Sequence, residues 1–200
     1  MNGFERRTML KKKNICKAAF ELFSTFGVQK TNIAQIAKKA NVSQVTIYNY
    51  FGSKENLLKE SIKDFLEEKL KQYERLLEEE LTFLEIIEKI VFDKSESVKM
   101  MNYEFIQTLL STYKDMQQFI DDFYKNRAIP LMIRLIDKGR REGYINKDIS
   151  NEAFLFYITI FTRAISQHDL ISKLPKSAMQ DLSSLFFYGL MGEKPSSLPQ

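Results

Sequence analysis

Two short helical patterns separated by a turn, within residues 31–54, constrain the fold more than any other part of this sequence. Apolar residues spaced for one helical face predict a helix over residues 32–40, with Thr31 and Asn32 both competent as N-caps. Residues 41–43 form the predicted turn, and Ser43 can cap a second helix that runs through Tyr50. This order predicts a helix-turn-helix.

The spacing of apolar residues also predicts which side of the second helix is buried. Ile36 and Ala37, together with Val42 in the turn, have to meet Ile47 in a small core. The remaining positions are then left on exposed faces, where short side chains can approach a major groove. These are Gln44, Val45, Thr46, Tyr48 and Asn49.

Phosphate contacts are predicted from helix starts. Ser43 combines a hydroxyl with the free N–H groups and the positive dipole end of a helix. Ser53 and Lys54 repeat this arrangement at the start of the next helix, and the Tyr48 hydroxyl lies between the two in sequence. We expect this group to clamp a phosphate backbone.

The rest of the chain predicts an all-α protein. Gly (7) and Pro (4) are scarce, and helix-forming residues abound. Helices are predicted from about residue 15 to Phe26, from Ser53 onward, from Thr82, from Ser97, over 115–142 with a kink or restart at Pro130, from Ser150 to about 167, and from Pro175.

The net charge of +4 is unevenly distributed. Residues 1–54 contain ten Lys or Arg and two Glu, a net charge of +8, and the rest of the chain has a net charge of −4. A basic head on an acidic body is typical of a protein that binds a polyanion. Within this head, the sequence leaves open whether Arg6 and Arg7 form a flexible arm without a defined contact.

The stretch FELFSTFGVQKTNIAQIAKKANVSQVTIYNYFGSKENLL, Phe20 to Leu58, resembles the N-terminal signature of the TetR family of bacterial repressors. The resemblance implies a helix-turn-helix DNA-binding domain over residues 1–52. It also implies a helical ligand-binding and dimerisation domain over 53–192, with a four-helix bundle at the dimer interface. Residues 193–200 are expected to be a disordered tail.

Several site residues are carried over from that resemblance. Thr31, Ser43, Tyr48 and Lys54 match positions that usually contact phosphate, and Gln44, Val45 and Thr46 lie where the recognition helix meets DNA. Val45 departs from the glycine that is common at its position. Asn49 stands where His or another polar residue is frequent, which leaves its role open.

Two further groups of residues are predicted for the C-terminal region. Flexible Met and aromatic side chains could line a cavity for a small hydrophobic ligand, the expected inducer: Met100, Met101, Tyr103, Phe105, Phe123, Tyr124 and Met132. Surplus apolar residues on the last two helices predict a homodimer interface: Phe154, Tyr157, Ile158, Phe161, Ile165, Leu182, Phe186 and Phe187.

The predicted function is a ligand-responsive regulator, a repressor released from a palindromic double-stranded DNA operator. We expect that the protein is not an enzyme and binds no cofactor or metal. One His and one Cys make a His- or Cys-rich zinc site impossible. No phosphate-loop or nucleophile motif is present in the sequence. We expect the protein to lie in the cytoplasm and not to associate with a membrane. The alternative is a helical protein-interaction adaptor without sequence-specific DNA binding.

Overall fold

A computed structural model of the chain describes residues 2–90, 105, 114–166 and five further positions between 175 and 185. The described residues are helical apart from caps and turns, as the all-α prediction requires. Two compact units are present, Met1–Glu79 with Lys89–Phe123, and Glu80–Glu88 with Tyr124–Gln200. None of the helices in the described part of the chain is long and apolar enough to cross a membrane.

Four helices begin the first unit: α1 (Gly3–Phe26), α2 (Ile33–Ala40), α3 (Gln44–Phe51) and α4 (Lys54–Glu78). Each of the last three begins at a polar side chain that accepts a hydrogen bond from a free backbone N–H of its first turn. Asn32, Ser43 and Ser53 are those caps, so the predicted starts of α3 and α4 are confirmed. For α2, Asn32 rather than Thr31 is the cap.

Helix α1 begins further toward the N-terminus than apolar periodicity indicates. Asn2 and Glu5 form a reciprocal capping box, in which Glu5 N–H donates to Asn2 at 2.8 Å and Asn2 N–H donates to Glu5 at 2.9 Å. The flexible arm considered for Arg6 and Arg7 is therefore not found, because both residues lie in the first turns of α1.

The core of the first unit joins all four helices. Ile15 and Phe23 of α1, Ile36 of α2, Ile47 of α3 and Leu58 of α4 are each at most 1% exposed and belong to one cluster. Burying a side chain of this size contributes about 1.5–3 kcal/mol. Two residues from later in the chain, Phe105 and Met116, complete the same cluster.

Charged groups also hold α1 against α4. The Lys13 ammonium donates to the Glu68 carboxylate, which raises the pKa of Lys13 and lowers that of Glu68. Burial raises the pKa of the neighbouring Asp64. Burial, and then the negative charges of Asp64 and Glu60, raise the pKa of the Cys16 thiol to about 12, so this cysteine is a poor nucleophile.

The remaining described helices are α5 over residues 83–90, α6 (Lys114–Phe123), α7 (Ile129–Arg141) and α8 (Asn151–Ser166). The predicted capping box of α5 is present, with Thr82 N–H donating to Glu85 at 2.8 Å. A π-helical turn, Tyr124–Ala128, precedes Pro130. Proline lacks an N–H and its ring conflicts with the carbonyl four residues back, which explains an irregular turn there.

Gly143 ends the predicted helix with a φ of +81°, a conformation that favours glycine. The chain then turns back, and Ile145 packs with Phe83, Ile136 and Phe154 in the core of the second unit. Arg140 fixes the loop that follows by donating to the Asn151 side chain at 2.7 Å and to the Ile149 carbonyl.

The predicted boundary after residue 52 does not coincide with a boundary between compact units. Helix α4 packs on α1 within the first unit, so both sides of residue 52 share one hydrophobic core. The predicted division at residue 52 is therefore a division of function, and it stays a prediction. The helix predicted from Ser97 and the tail over 193–200 lie outside the described residues.

Gly139 offers a test of packing in the second unit. A Cβ placed there would lie 2.7 Å from Ile145 Cδ1 and 2.9 Å from the Phe83 ring. Alanine is favoured over glycine inside a helix by about 1 kcal/mol, but overpacking a core costs about 1–3 kcal/mol. Both neighbours are buried, so we expect the overpacking cost to exceed the helix gain and Gly139→Ala to lower the free energy of unfolding by up to about 2 kcal/mol in denaturant titrations.

A double-mutant cycle identifies the cause. Ile145→Val removes the Cδ1 atom that the new Cβ would meet, so we expect it to cost less stability in the Gly139→Ala background than in the parent. Equal costs in both backgrounds would rule out this contact as the source of the strain.

Candidate DNA-binding surface

Helix α3 has one buried and one exposed side. Ile47 and Phe51 are 1% and 9% exposed and face the core, whereas Val45 and Tyr48 are 66% and 49% exposed. Gln44 and Asn49 are exposed as well. A short helix with its polar and aromatic side chains already displayed can enter a major groove without unfolding.

The start of α3 is held by a small hydroxyl network. Ser43 accepts a hydrogen bond from Thr46 N–H at 3.0 Å, and the two hydroxyl oxygens lie 2.9 Å apart. Ser43 is exposed and Thr46 is half-buried. The exposed hydroxyl and the free N–H groups of the first turn are suited to an anion.

A tight junction places the start of α4 beside the end of α3. Gly52 adopts a φ of +74° and its N–H donates to the Tyr48 carbonyl at 2.8 Å. Ser53 then caps α4 by accepting from Asn56 N–H at 3.1 Å. Because only these two residues separate the helices, Tyr48 and Lys54 are held close to two helix ends.

Lys54 is a half-buried cation at this junction. Burial lowers the pKa of its ammonium group, and within the described part of the chain no carboxylate forms an ion pair with it. A phosphate oxygen would supply the missing negative charge and raise that pKa again.

Thr31 is not displayed on this surface, and its predicted phosphate contact stays a prediction. The residue is 1% exposed, and its hydroxyl is directed at the carbonyl oxygens of Gly27 and Leu22, at 2.9 and 3.1 Å. Asn32, the next residue, is exposed and caps α2. Two adjacent residues can both cap a helix, and sequence alone did not distinguish them.

A second cationic surface was not predicted from the sequence. An open groove lies between the N-terminal half of α1 and the turn between α2 and α3. Its lining includes Arg7, Lys11, Asn41 and Tyr50. Lys12 lies over the Tyr50 ring, 5.5 Å from its centroid. The excess of positive charge was visible in the sequence, but its position beside the turn was not.

Four of the seven ligand residues predicted from the sequence are described by the structure, two in each unit. Phe105 is fully buried and makes an edge-to-face contact with Phe20, with ring centroids 5.7 Å apart. It packs in the core of the first unit, and its predicted role in ligand binding stays a prediction. Phe123 packs beside Phe119 in the same unit. Tyr124 and Met132 belong to the second unit, and Met100, Met101 and Tyr103 lie outside the described residues.

Two of the dimer residues predicted from the sequence pack in or against the core of the second unit. Phe154 is 4% exposed and belongs to the core of the second unit, and Tyr157 packs against that core. The exposed apolar residues are Phe156 and Ile160, one turn apart, at 68% and 52%. Leu182 is half-buried. The side chains of Ile158, Phe161 and Ile165, and the residues Phe186 and Phe187, lie outside the described part of the structure.

The family comparison decides the class of protein. Residues 15–61, which include the whole helix-turn-helix, match the family described as "Bacterial regulatory proteins, tetR family". These residues form a TetR-family DNA-binding domain. The chain is therefore a DNA-binding transcriptional regulator.

Two curated relatives of this chain are HTH-type transcriptional regulators of Bacillus subtilis. YhgD is 35% identical over 82 residues, which are 41% of this chain and 43% of YhgD. YdgC is 27% identical over 188 residues, which are 90% of this chain and 92% of YdgC. The first relationship is confined to less than half of each protein, and the second extends over most of both.

Solved structures share the fold. FadR from Bacillus subtilis, in complex with stearoyl-CoA, has a TM-score of 0.62 at 20% identity and covers 88% of this chain and 98% of its own. FadR from Thermus thermophilus, a TetR-family repressor in complex with lauroyl-CoA, has a TM-score of 0.56 at 19% identity, with coverages of 94% and 100%. At these identities the likeness establishes the fold.

The phosphate contacts assigned to α3 and α4 can be tested by salt titration. Each phosphate contact releases condensed counterions, so removing one changes the slope of log K against log salt concentration by about one unit. We expect Lys54→Ala to weaken binding to all DNA sequences and to lower the slope by that amount. Tyr48→Phe should weaken binding without the change in slope, because it removes a hydroxyl and no charge.

Lys147→Ala is the matched control, since Lys147 is an exposed lysine of the second unit. We expect it to retain the parent affinity and slope. If Lys54→Ala and Tyr48→Phe also bind DNA as the parent does, neither side chain contacts the phosphate backbone.

Proposed function

We propose that this protein is a homodimeric repressor that binds a palindromic operator and is released from it by a small apolar ligand. The observation that carries the proposal is the exposed side of α3, which is fixed in place by a buried opposite side. The TetR-family DNA-binding domain favours DNA regulation over the alternative of a protein-interaction adaptor. We propose that the protein has no catalytic role. We also propose that it lies in the cytoplasm, where its operator would be.

The proposed contacts follow from the exposure of each side chain. Gln44 is the candidate for a base contact, because an amide can pair with both N6 and N7 of adenine. Val45 is exposed and apolar, which suits contact with a thymine methyl group. Asn49 is a further candidate on the same side. Ser43, Tyr48 and Lys54 are assigned to the phosphate backbone, and half-buried Thr46 supports the Ser43 hydroxyl.

A dimer is proposed because one eight-residue recognition helix offers too little contact for specific binding. Two heads about 34 Å apart would read successive major-groove faces of a palindrome. Phe156 and Ile160 of α8 provide exposed apolar surface for the pairing, and Leu185 is 64% exposed. The Tyr157 hydroxyl lies 3.4 Å from the Leu185 carbonyl, so α8 and Leu185 are neighbours within one unit.

We expect Ile160→Glu to convert the dimer to a monomer at micromolar concentration, because it places a charge in an apolar interface. Light scattering measures the change, and operator affinity should fall with it. Asp148→Lys, at an exposed loop position, is the control and should stay dimeric. Thr159→Glu is unsuitable as a control, because the Thr159 hydroxyl donates a hydrogen bond to the Leu155 carbonyl within α8. A parent protein that is monomeric in the same measurement would contradict the dimer.

Ligand control is proposed to act through the core that α1 and α4 share with later residues. Phe20 of α1 stacks on Phe65 of α4, with ring centroids 4.0 Å apart, and Phe105 packs against Phe20. Met116 and Phe119 pack in the same cluster. A ligand that displaces these later residues would move α1 and α4, and with them the DNA-binding surface. The FadR structures bind stearoyl-CoA and lauroyl-CoA, which supports a ligand with an apolar acyl chain for this fold.

Such a ligand has to favour the conformation that does not bind DNA. A 100-fold loss of operator affinity requires about 2.7 kcal/mol of coupling between the two sites. By reciprocity, we expect any acyl compound that raises the thermal midpoint of the protein and releases DNA to bind the DNA complex about 100-fold more weakly than the free protein. Calorimetry with and without operator checks this. A compound that binds both forms equally is not an inducer.

A further inference from the structure

The N-terminal half of α1 forms one wall of a groove, and the helix-turn-helix itself forms the other. Phe4, Arg7, Thr8, Leu10, Lys11 and Asn14 contribute from α1. Ala40, Asn41 and Val42 of the α2–α3 turn, and Tyr50 of α3, contribute from the other side. The groove is therefore continuous with the proposed DNA-binding surface, because the turn that it borders leads directly into Ser43 and α3.

The two cations of the groove project from the same side of α1. Arg7 and Lys11 are four residues apart, which places them one above the other on a helix. Both side chains are exposed. The capping box at Asn2 and Glu5 fixes this part of α1 as helix, so little ordering is required when the groove is filled.

Arg7 and Lys11 are not neutralised by any carboxylate that the structure describes. Lys13 is paired with Glu68, and Lys39 is paired with Glu21 at 2.7 Å. Glu5, the acidic residue nearest in sequence, accepts the Asn2 N–H instead. Among the described residues, no carboxylate forms an ion pair with Arg7 or Lys11. The groove is thus a preformed cationic surface.

The apolar residues of the groove are also exposed. Phe4 is 71% exposed and Leu10 is 50% exposed. Side chains of this kind can pack on the deoxyribose rings between phosphates, whereas the charge and the continuity with the recognition helix favour DNA over a lipid surface. A helix with this composition could otherwise bind an anionic membrane, and the experiment has to distinguish the two.

We propose that this groove binds the DNA backbone at the flank of the operator, with Arg7 and Lys11 each contacting a phosphate. The inference rests on the proposed function as a DNA-binding repressor and extends its binding surface from α3 and α4 to α1. The contact is independent of base sequence, so it adds affinity and lengthens the protected site without changing the motif that α3 reads.

The test compares the parent with the double variant Arg7→Gln/Lys11→Gln and with the control Lys125→Gln/Lys147→Gln. The control removes two exposed cations of the second unit. Binding is measured against an operator of full length and against the same operator trimmed at both ends, each over a range of salt concentrations. Circular dichroism establishes that each variant keeps its helix content.

We expect the double variant to lower the slope of log K against log salt concentration by about two units for each protomer bound, since about 0.9 counterion is released per phosphate contact. We also expect the parent to lose at least tenfold affinity on trimming, and the double variant to lose less than twofold. Hydroxyl-radical footprints should shorten at both ends in the double variant. The control should match the parent in every measurement.

The outcomes separate this inference from the function on which it rests. If the parent binds no DNA, the proposed function is wrong. If the parent binds but the double variant keeps its slope, its footprint and its sensitivity to trimming, the groove does not contact DNA and the repressor proposal stands. Binding of the parent and the double variant to vesicles of anionic phospholipid is measured in parallel. If the double variant loses vesicle binding and keeps DNA binding, the groove is a lipid-binding surface and the inference is wrong.

Discussion

The burial of Ile47 and Phe51 against α1, α2 and α4 is the constraint on which the DNA-binding surface depends. An eight-residue helix is too short to be stable alone in water, so α3 exists because its inner side completes a core. Anchoring that side fixes the rotation of the helix about its axis. Gln44, Val45 and Tyr48 are consequently displayed at fixed positions before any DNA is present, and the ordering cost of binding is small.

The distribution of ion pairs then determines which cations are free for DNA. Lys13 and Lys39 lie in the basic N-terminal quarter of the chain, yet both are engaged by carboxylates within the protein. Lys54, Arg7 and Lys11 have no such ion pair among the described residues, and they surround the turn and the two ends of α3. The net charge of residues 1–54 therefore overstates the number of cations that are available to contact DNA.

Local rules predicted the helices and much of the surface. Cap residues and apolar spacing gave the starts of α3, α4 and α5 and the buried side of α3, because these depend on neighbours within one or two turns. The resemblance to the TetR signature added the class of protein, which the family comparison confirmed.

The failures came from contacts between distant segments. Thr31 was indistinguishable from Asn32 as a cap, and only the packing of the α1–α2 loop buries it. Helix α8 is apolar on more than one side, so the residues facing the core, such as Phe154, could not be separated from the exposed Phe156 and Ile160. The packing of Phe105 on Phe20 of α1 could not be predicted either, because nothing in its own segment indicates it.

Selection of bound sequences from a pool of random DNA, with the parent and Gln44→Ala in parallel, tests the central claim that the exposed side of α3 reads bases. The account predicts a palindromic motif for the parent and the same motif with one position relaxed in each half-site for the variant. On the preferred operator the variant should lose about 1–3 kcal/mol of binding free energy. An identical motif and affinity for both proteins would contradict it.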